Sequence, residues 1–284
     1  MPPFNVLLQY LLPKQALTSL AGRVASARGG SATTWLVRWF VNSYGVNMQE
    51  AAEPDVTRYA SFNDFFVRSL AAGTRPIADA DLVCPVDGAI SQCGVITGNA
   101  IFQAKGHEYT TLALAGGDAA LASQFTNGTF ATLYLSPKDY HRVHMPCAGR
   151  LLRMIHVPGD LFSVNPTTAR GVPGLFARNE RVVCLFEGEH GPFLMVLVGA
   201  TIVGSVATAW QGTVTPPRST SLREWTYADR TIHLAKGDEM GRFLLGSTVV
   251  LLFPAGRVAF DPSWRAALPV RMGTTMGSFT HPAR

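Results

Sequence analysis

A serine, two histidines and an aspartate are the residues of this chain whose types and settings suit nucleophilic or proton-transfer chemistry. Ser247 lies in MGRFLLGSTVVLLFP, where a Gly-Ser-Thr step interrupts a run of Val, Leu and Phe. Glycine at such a step reads first as a β-bulge or tight bend. The chemical alternative is that Gly246-Ser247 is a bond the chain breaks in itself. His141 and His144 are three residues apart in LSPKDYHRVHMPCAGRL. That spacing could present a metal pair on one helical face. However, Pro137 and Pro146 bracket the segment, and no H-E-x-x-H pattern accompanies it. Structural hydrogen bonding and acid–base chemistry are therefore the competing readings, and Tyr140 and Arg142 alongside raise the second. Asp87, in CPVDGAI, precedes a glycine and alone reads as a turn. Its functional reading is the acid that orients a histidine.

Ser247, His144 and Asp87 are also the inventory of a serine hydrolase. Against that, Ser247 is not in a G-x-S-x-G elbow. At the edge of a buried strand it is poorly placed for outside substrates and better placed to attack its own backbone. A non-catalytic, β-rich membrane-surface binding protein, with Gly-Ser as a mere bulge, is the third reading.

These residues must be held by two kinds of element. Up to about residue 75 the pattern is helical. Phe4, Leu7, Leu8, Leu11 and Leu12 fall at helical spacing before Pro13, and TTWLVRWFVNSYG brings Trp35, Trp39 and Phe40 close together. Such a Trp/Phe/Leu/Arg pair of helices suits a membrane interface or packing on the domain. SFNDFFVRSL carries an N-cap signal at Ser61 and Asp64. From 76 onward, short Val/Ile/Leu runs alternate with Gly, Pro, Asn and Asp, as in VCPVDGAISQCGVI, GTFATLYL, AGRLLRMIHV, RVVCLFEG and STVVLLFP. The expectation is an α+β chain: N-terminal helices over 1–75, then a mostly antiparallel, sandwich- or barrel-like β core over 76–284. TVTPPRSTSLREWTYADR reads as a polar loop or flap. FLMVLVGATIVGSVATAW carries no charge, but its Val, Thr and Gly content favours two buried strands joined near Gly199 over a membrane span.

The 284 residues are 47% hydrophobic and only 15% charged, with a net charge of +5. About 25% charged is usual for a soluble domain, so either much of the chain is buried or part of the surface faces something apolar. The mild basic excess suits an anionic lipid surface. No dense Lys/Arg run supports nucleic acid. The four cysteines form no C-x-x-C pair and read as reduced, structural thiols.

In order along the chain, FNDFFVRSL…RPI, CPVDGAI, YHRVHMP, GDLFSVNP, NERVV, VGATIVGSV and KGDEMGRFLLGSTVVLLF resemble the bacterial, membrane-associated phosphatidylserine decarboxylase family. The similarity runs from about residue 60 to 255. VRMGTTMG resembles the family's final strand, with Met272 and Thr274 less typical. The resemblance implies a proenzyme that cuts itself between Gly246 and Ser247 and turns Ser247 into a covalent pyruvoyl group, needing neither metal nor pyridoxal phosphate. It implies His144 as the base and Asp87 as the residue that orients it. His141 and Ser163 are the substrate-binding candidates. It implies phosphatidylserine as substrate, phosphatidylethanolamine and CO2 as products, and a heterodimer of 1–246 with 247–284, with a higher homo-oligomer open. The expected location is peripheral, on the cytoplasmic face of the cell membrane.

Overall fold

The computed structural model describes residues 4–104, 106–201, 205–227, 231–244 and 247–280. Among these, a nine-stranded sheet forms the centre. Its order is Arg223–Thr226, Gly149–Val157, Arg181–Gly188, Gly191–Val198, Ser247–Phe253, Thr129–Leu135, Gly88–Val95 and Pro269–Val270, with His233–Leu234 also paired to Gly149–Val157. Every pairing in it is antiparallel.

The middle strands are Val/Leu/Phe runs because both faces of this sheet are covered. Side chains alternate between faces along a strand. Val249, Leu251 and Phe253 enter one core with Val182, Cys184, Met195 and Leu197. Val250 and Leu252 enter another with Val183, Val196 and Val198. The first core is closed by two smaller sheets. One contains Val206–Thr208, Gly212–Thr215, Glu239–Phe243 and Arg142–His144, and the other Leu82–Val83, Val258–Phe260 and Thr275–Phe279. The second core is closed by short helices bearing Leu114, Leu121, Ala169, Leu175 and Phe176, and by Val6 of the N-terminal helix. The sandwich expected from the turn spacing is thus present, with a helical layer on its far side.

Helices Phe4–Leu11, Lys14–Ser26 and Ser31–Tyr44 open the chain. Ser61 caps the short Phe62–Phe66 helix, its hydroxyl accepting from the Asp64 amide at 3.1 Å. The helix aromatics divide by exposure. Phe40 is buried with Val37, Phe62, Phe65 and Phe66. Trp35 (67% exposed) and Trp39 (50%) face outward instead, as do Leu11, Leu17, Leu20 and Val24. Leu17, Leu20 and Val24 recur at helical spacing, so they share one face. No helix among the described residues is long and apolar enough to cross a membrane.

Two local readings differ from the structure. The segment taken as a flap contains Arg223–Thr226, an edge strand paired residue for residue with Arg153–His156. Its polar sequence reflects an edge position, where one row of side chains meets solvent. The run around the Gly-Ser step is also not one strand. Glu239–Phe243 belongs to the four-stranded sheet and Ser247–Phe253 to the nine-stranded one, so the chain crosses between layers there. The Gly-Ser-Thr step marks an interruption, but both strands are buried, so nothing local shows that they join different sheets.

Candidate active site

Ser247 is the first residue of a strand in which all seven positions are buried. It pairs with Leu135, and Thr248 pairs with both Tyr134 and Val198. The turn before it is fastened from two sides: the Phe243 amide donates to the His141 carbonyl and the Leu244 amide to the Ser205 carbonyl, each at 3.0 Å. Phe243 is therefore tied to the segment that carries the first histidine, and Ser247 pairs with Leu135 at the start of that segment. The Ser247 hydroxyl is fully buried and, like that of Thr248, has no hydrogen-bond partner among the described residues. An unsatisfied buried hydroxyl costs about 1–3 kcal/mol, and such an exception points to a functional use. Gly246, the other half of the expected cleavage site, lies outside the described residues.

Both histidines are held in defined tautomers. His144 Nδ1 lies 2.8 Å from the Gly237 carbonyl, which can only accept, so Nδ1 carries the proton. Its Nε2 then takes a hydrogen bond from the Tyr140 hydroxyl at 3.0 Å. His141 Nδ1 likewise donates to the Asp139 carbonyl at 2.8 Å. The lone pair on His141 Nε2 is left buried and without a partner. Burial pushes the His141 pKa down to about 3, and the nearby Arg68 charge acts in the same direction. Burial also lowers His144, opposed by the Gly237 hydrogen bond and the charges of Glu239 and Asp87. Both rings are thus kept neutral, the form that can accept a proton. Burial pushes the Tyr140 phenol up to about 12, so it remains a donor.

Asp87 is buried, but its hydrogen bonds go elsewhere. Arg75 clamps it with Nε at 3.0 and 3.1 Å and Nη2 at 2.6 Å, and the Met272 amide donates to it at 2.9 Å. It reaches His144 as a negative charge, not as a hydrogen-bond partner. It is placed by the close approach of Gly88 to the next strand, where a Cβ would lie 2.2 Å from the Tyr134 carbonyl oxygen. Asp87, Tyr140, Ser136 and Arg68 line one cleft of about 950 Å³, within the range of small-molecule sites. A model described as phosphatidylserine decarboxylase matches residues 62–278.

The chain belongs to the phosphatidylserine decarboxylase family.

A second family model, described as PSD, matches residues 4–45, over the N-terminal helices. The phosphatidylserine decarboxylase proenzyme of Variovorax paradoxus is 67% identical over 276 residues, covering 97% of this chain and 98% of the relative. Those of Albidiferax ferrireducens and Methylibium petroleiphilum are 68% and 69% identical over 271 residues, with 95% of this chain and 95% and 96% of the relatives covered. Within the decarboxylase fold, Ser247 pairs with Leu135 and Phe243 bonds to His141, and His144 shares the His141 segment. Asp87 stands at the cleft. The Ser163 amide donates to Gln9 Oε1 at 2.9 Å, which ties down the N-terminal helix.

Sequence reasoning passed over Arg75 and Arg68, because isolated arginines carry no local signal. It also passed over a buried ionic group in which Glu180 meets His156 Nε2 at 3.0 Å and Arg218 Nε at 3.2 Å. NERVV was noted only as a resemblance, although a charged Asn-Glu-Arg step opening an apolar strand is itself a sign of buried polar partners.

Proposed function

We propose that this decarboxylase is made as a proenzyme, cuts itself between Gly246 and Ser247, and converts phosphatidylserine to phosphatidylethanolamine and CO2 with the pyruvoyl group left at residue 247. The buried, unpartnered Ser247 hydroxyl, at the point where the chain crosses between sheets, is the observation that supports this best. Ser247 Oγ attacks the Gly246 carbonyl carbon and its proton passes to a histidine. The peptide C–N bond is exchanged for a C–O ester. Removal of the Cα proton of residue 247 then expels the Gly246 carboxylate, and addition of water with loss of ammonia leaves a ketone. An orphaned hydroxyl fits that origin, since no hydrogen bond is lost when the oxygen departs. The ketone supplies an electron sink beside the lipid amine for the electron pair left when CO2 leaves.

Ser247 is the nucleophile and His144 the base in this reading, with Asp87 supporting the imidazole by charge. The proton would reach His144 Nε2 through the Tyr140 hydroxyl or in its place. A second reading makes His141 the base, because its Nε2 lone pair is the unoccupied one. Otherwise His141 positions the substrate carboxylate or assists protonation of the product carbon, and Ser163 is an outer substrate contact. The two chains would stay together as a heterodimer. Strand Ser247–Phe253 is paired on both sides, and each fully buried Val, Leu or Phe contributes about 1.5–3 kcal/mol. The helical region 1–75 would lie on the cytoplasmic membrane surface through Leu17, Leu20, Trp35 and Trp39, with 76–284 as the catalytic domain. Processing of H144A, H141A and Y140F, followed on denaturing gels, separates the assignments. An uncut H144A with a processed H141A supports the first reading. The reverse pattern moves the base to His141.

A further inference from the structure

Arg68 is a buried cation with no ion-pair partner among the described residues. The residue is 6% exposed. Its Nε has no hydrogen-bond partner, and its one side-chain hydrogen bond is a long one, 3.3 Å from Nη2 to the Lys138 carbonyl. The guanidinium stands over the Phe65 ring, 5.2 Å from its centroid, and lines the cleft beside Asp87 and Tyr140. The carboxylates around it are already engaged. Glu50 and Asp87 are both held by Arg75 at 2.6 Å. Asp139 accepts from the Ser136 amide and hydroxyl, both at 2.7 Å. An unpaired buried charge is costly, and a guanidinium fork matches the oxygen pair of a phosphate or carboxylate.

We propose that Arg68 and this cleft bind the phosphodiester of the lipid headgroup, an inference that rests on the phosphatidylserine reading above. The cleft is continuous with the site. It is lined by Tyr140, whose hydroxyl meets His144, and by Ser136, next to the register partner of Ser247. A phosphodiester is favoured over the substrate carboxylate for an energetic reason. A bidentate arginine on the carboxylate would stabilise the ground state and lose its partner as CO2 leaves, opposing the reaction. The phosphodiester is unchanged from substrate to product, so binding it is uniform and acts on KM. Exposed Lys138, on the same cleft, stands where a lipid phosphate would enter from the surface.

The test uses full-length, processed protein with Arg68→Met and Arg68→Lys. Cleavage into two chains serves as the folding check. With phosphatidylserine in detergent mixed micelles, KM should rise roughly tenfold or more in R68M, the loss expected for a charged hydrogen bond, with kcat changed less and R68K between. Glycerophosphocholine has the phosphodiester but no primary amine, so its binding reads the anion site whether or not the decarboxylase reading holds. It should bind the wild type and lose affinity by a similar factor in R68M. Equal binding to both proteins overturns the proposal. Binding of inorganic phosphate without glycerophosphocholine would make it a free-phosphate site and also overturn it. A fall in kcat with KM unchanged would place Arg68 on the reacting carboxylate instead. If R68M does not fold, R68K carries the same comparison. A wild type that neither cuts itself nor releases CO2 would defeat the functional reading while leaving the glycerophosphocholine measurement to stand on its own.

Discussion

Lowering the pH should unfold this protein earlier than its carboxylates alone would require, and His141 should be the main cause. Its pKa falls from the usual 6.5 to about 3 on folding, because the ring is fully buried. Below pH 6.5 the unfolded chain therefore takes up a proton that the folded chain refuses. His141 costs no stability above pH 6.5, and stability is lost as pH falls from there toward 3. The slope is about 1.4 kcal/mol per pH unit. Between pH 6.5 and 5 this amounts to about 2 kcal/mol, or about 1 M in urea midpoint at a slope near 2 kcal/mol/M. His144 is lowered for the same reason and adds a loss of the same sign. Glu50 and Asp118 are lowered by their arginine and backbone hydrogen bonds, so their losses begin below this window. The assay is urea unfolding of the S247A precursor, a single chain, at pH 7.5, 6.5, 5.75 and 5. The same series on S247A/H141N isolates the histidine, because asparagine can still donate to the Asp139 carbonyl. The double variant should lose about 1.4 kcal/mol less per pH unit below 6.5. Parallel slopes for the two proteins would refute the reasoning, and a steeper slope for H141N would reverse its sign.

Arg75→Met in the S247A background should destabilise by about 3–5 kcal/mol, because it leaves Asp87 a buried, unpaired carboxylate. Urea midpoints read this directly, and a cost below about 1 kcal/mol would mean that water reaches the pair. Trp35→Ala with Trp39→Ala should lower co-sedimentation with anionic vesicles while leaving self-cleavage intact, since both rings are exposed whereas Ser247 is fully buried. Unchanged vesicle binding would move the membrane contact elsewhere on the molecule.

The strands of the core were legible because buried central strands announce themselves as Val/Leu/Phe runs between turn residues. Strands Thr129–Leu135, Arg181–Gly188 and Ser247–Phe253 each fall on a run quoted from the sequence. The Ser61 cap was legible for a similar reason, since its partner Asp64 is three residues away. What escaped was set by contacts across long separations. The Gly-Ser-Thr step marked an interruption between the Phe243 and Ser247 strands, but membership of different sheets leaves no mark on two buried apolar runs. Asp87 was expected to hold a histidine, yet its hydrogen-bonding capacity is taken by Arg75 and the Met272 amide, twelve and 185 positions away. The bond from the Ser163 amide to Gln9, 154 positions earlier, likewise has no local sign. The histidine tautomers depend on the Asp139 and Gly237 carbonyls, and the second of these lies far along the chain.

The central claim is that Gly246-Ser247 is cut and that residue 247 becomes a pyruvoyl group. The most direct measurement is the intact mass of the purified wild-type protein under denaturing conditions, with S247A alongside. The account predicts two chains in the wild type, 1–246 with an ordinary carboxyl end and 247–284 with a ketone in place of its N-terminal amine. S247A should give one full-length mass. A wild type that stays at one full-length mass after long incubation would contradict the account, as would cleavage that leaves Ser247 with a free amine.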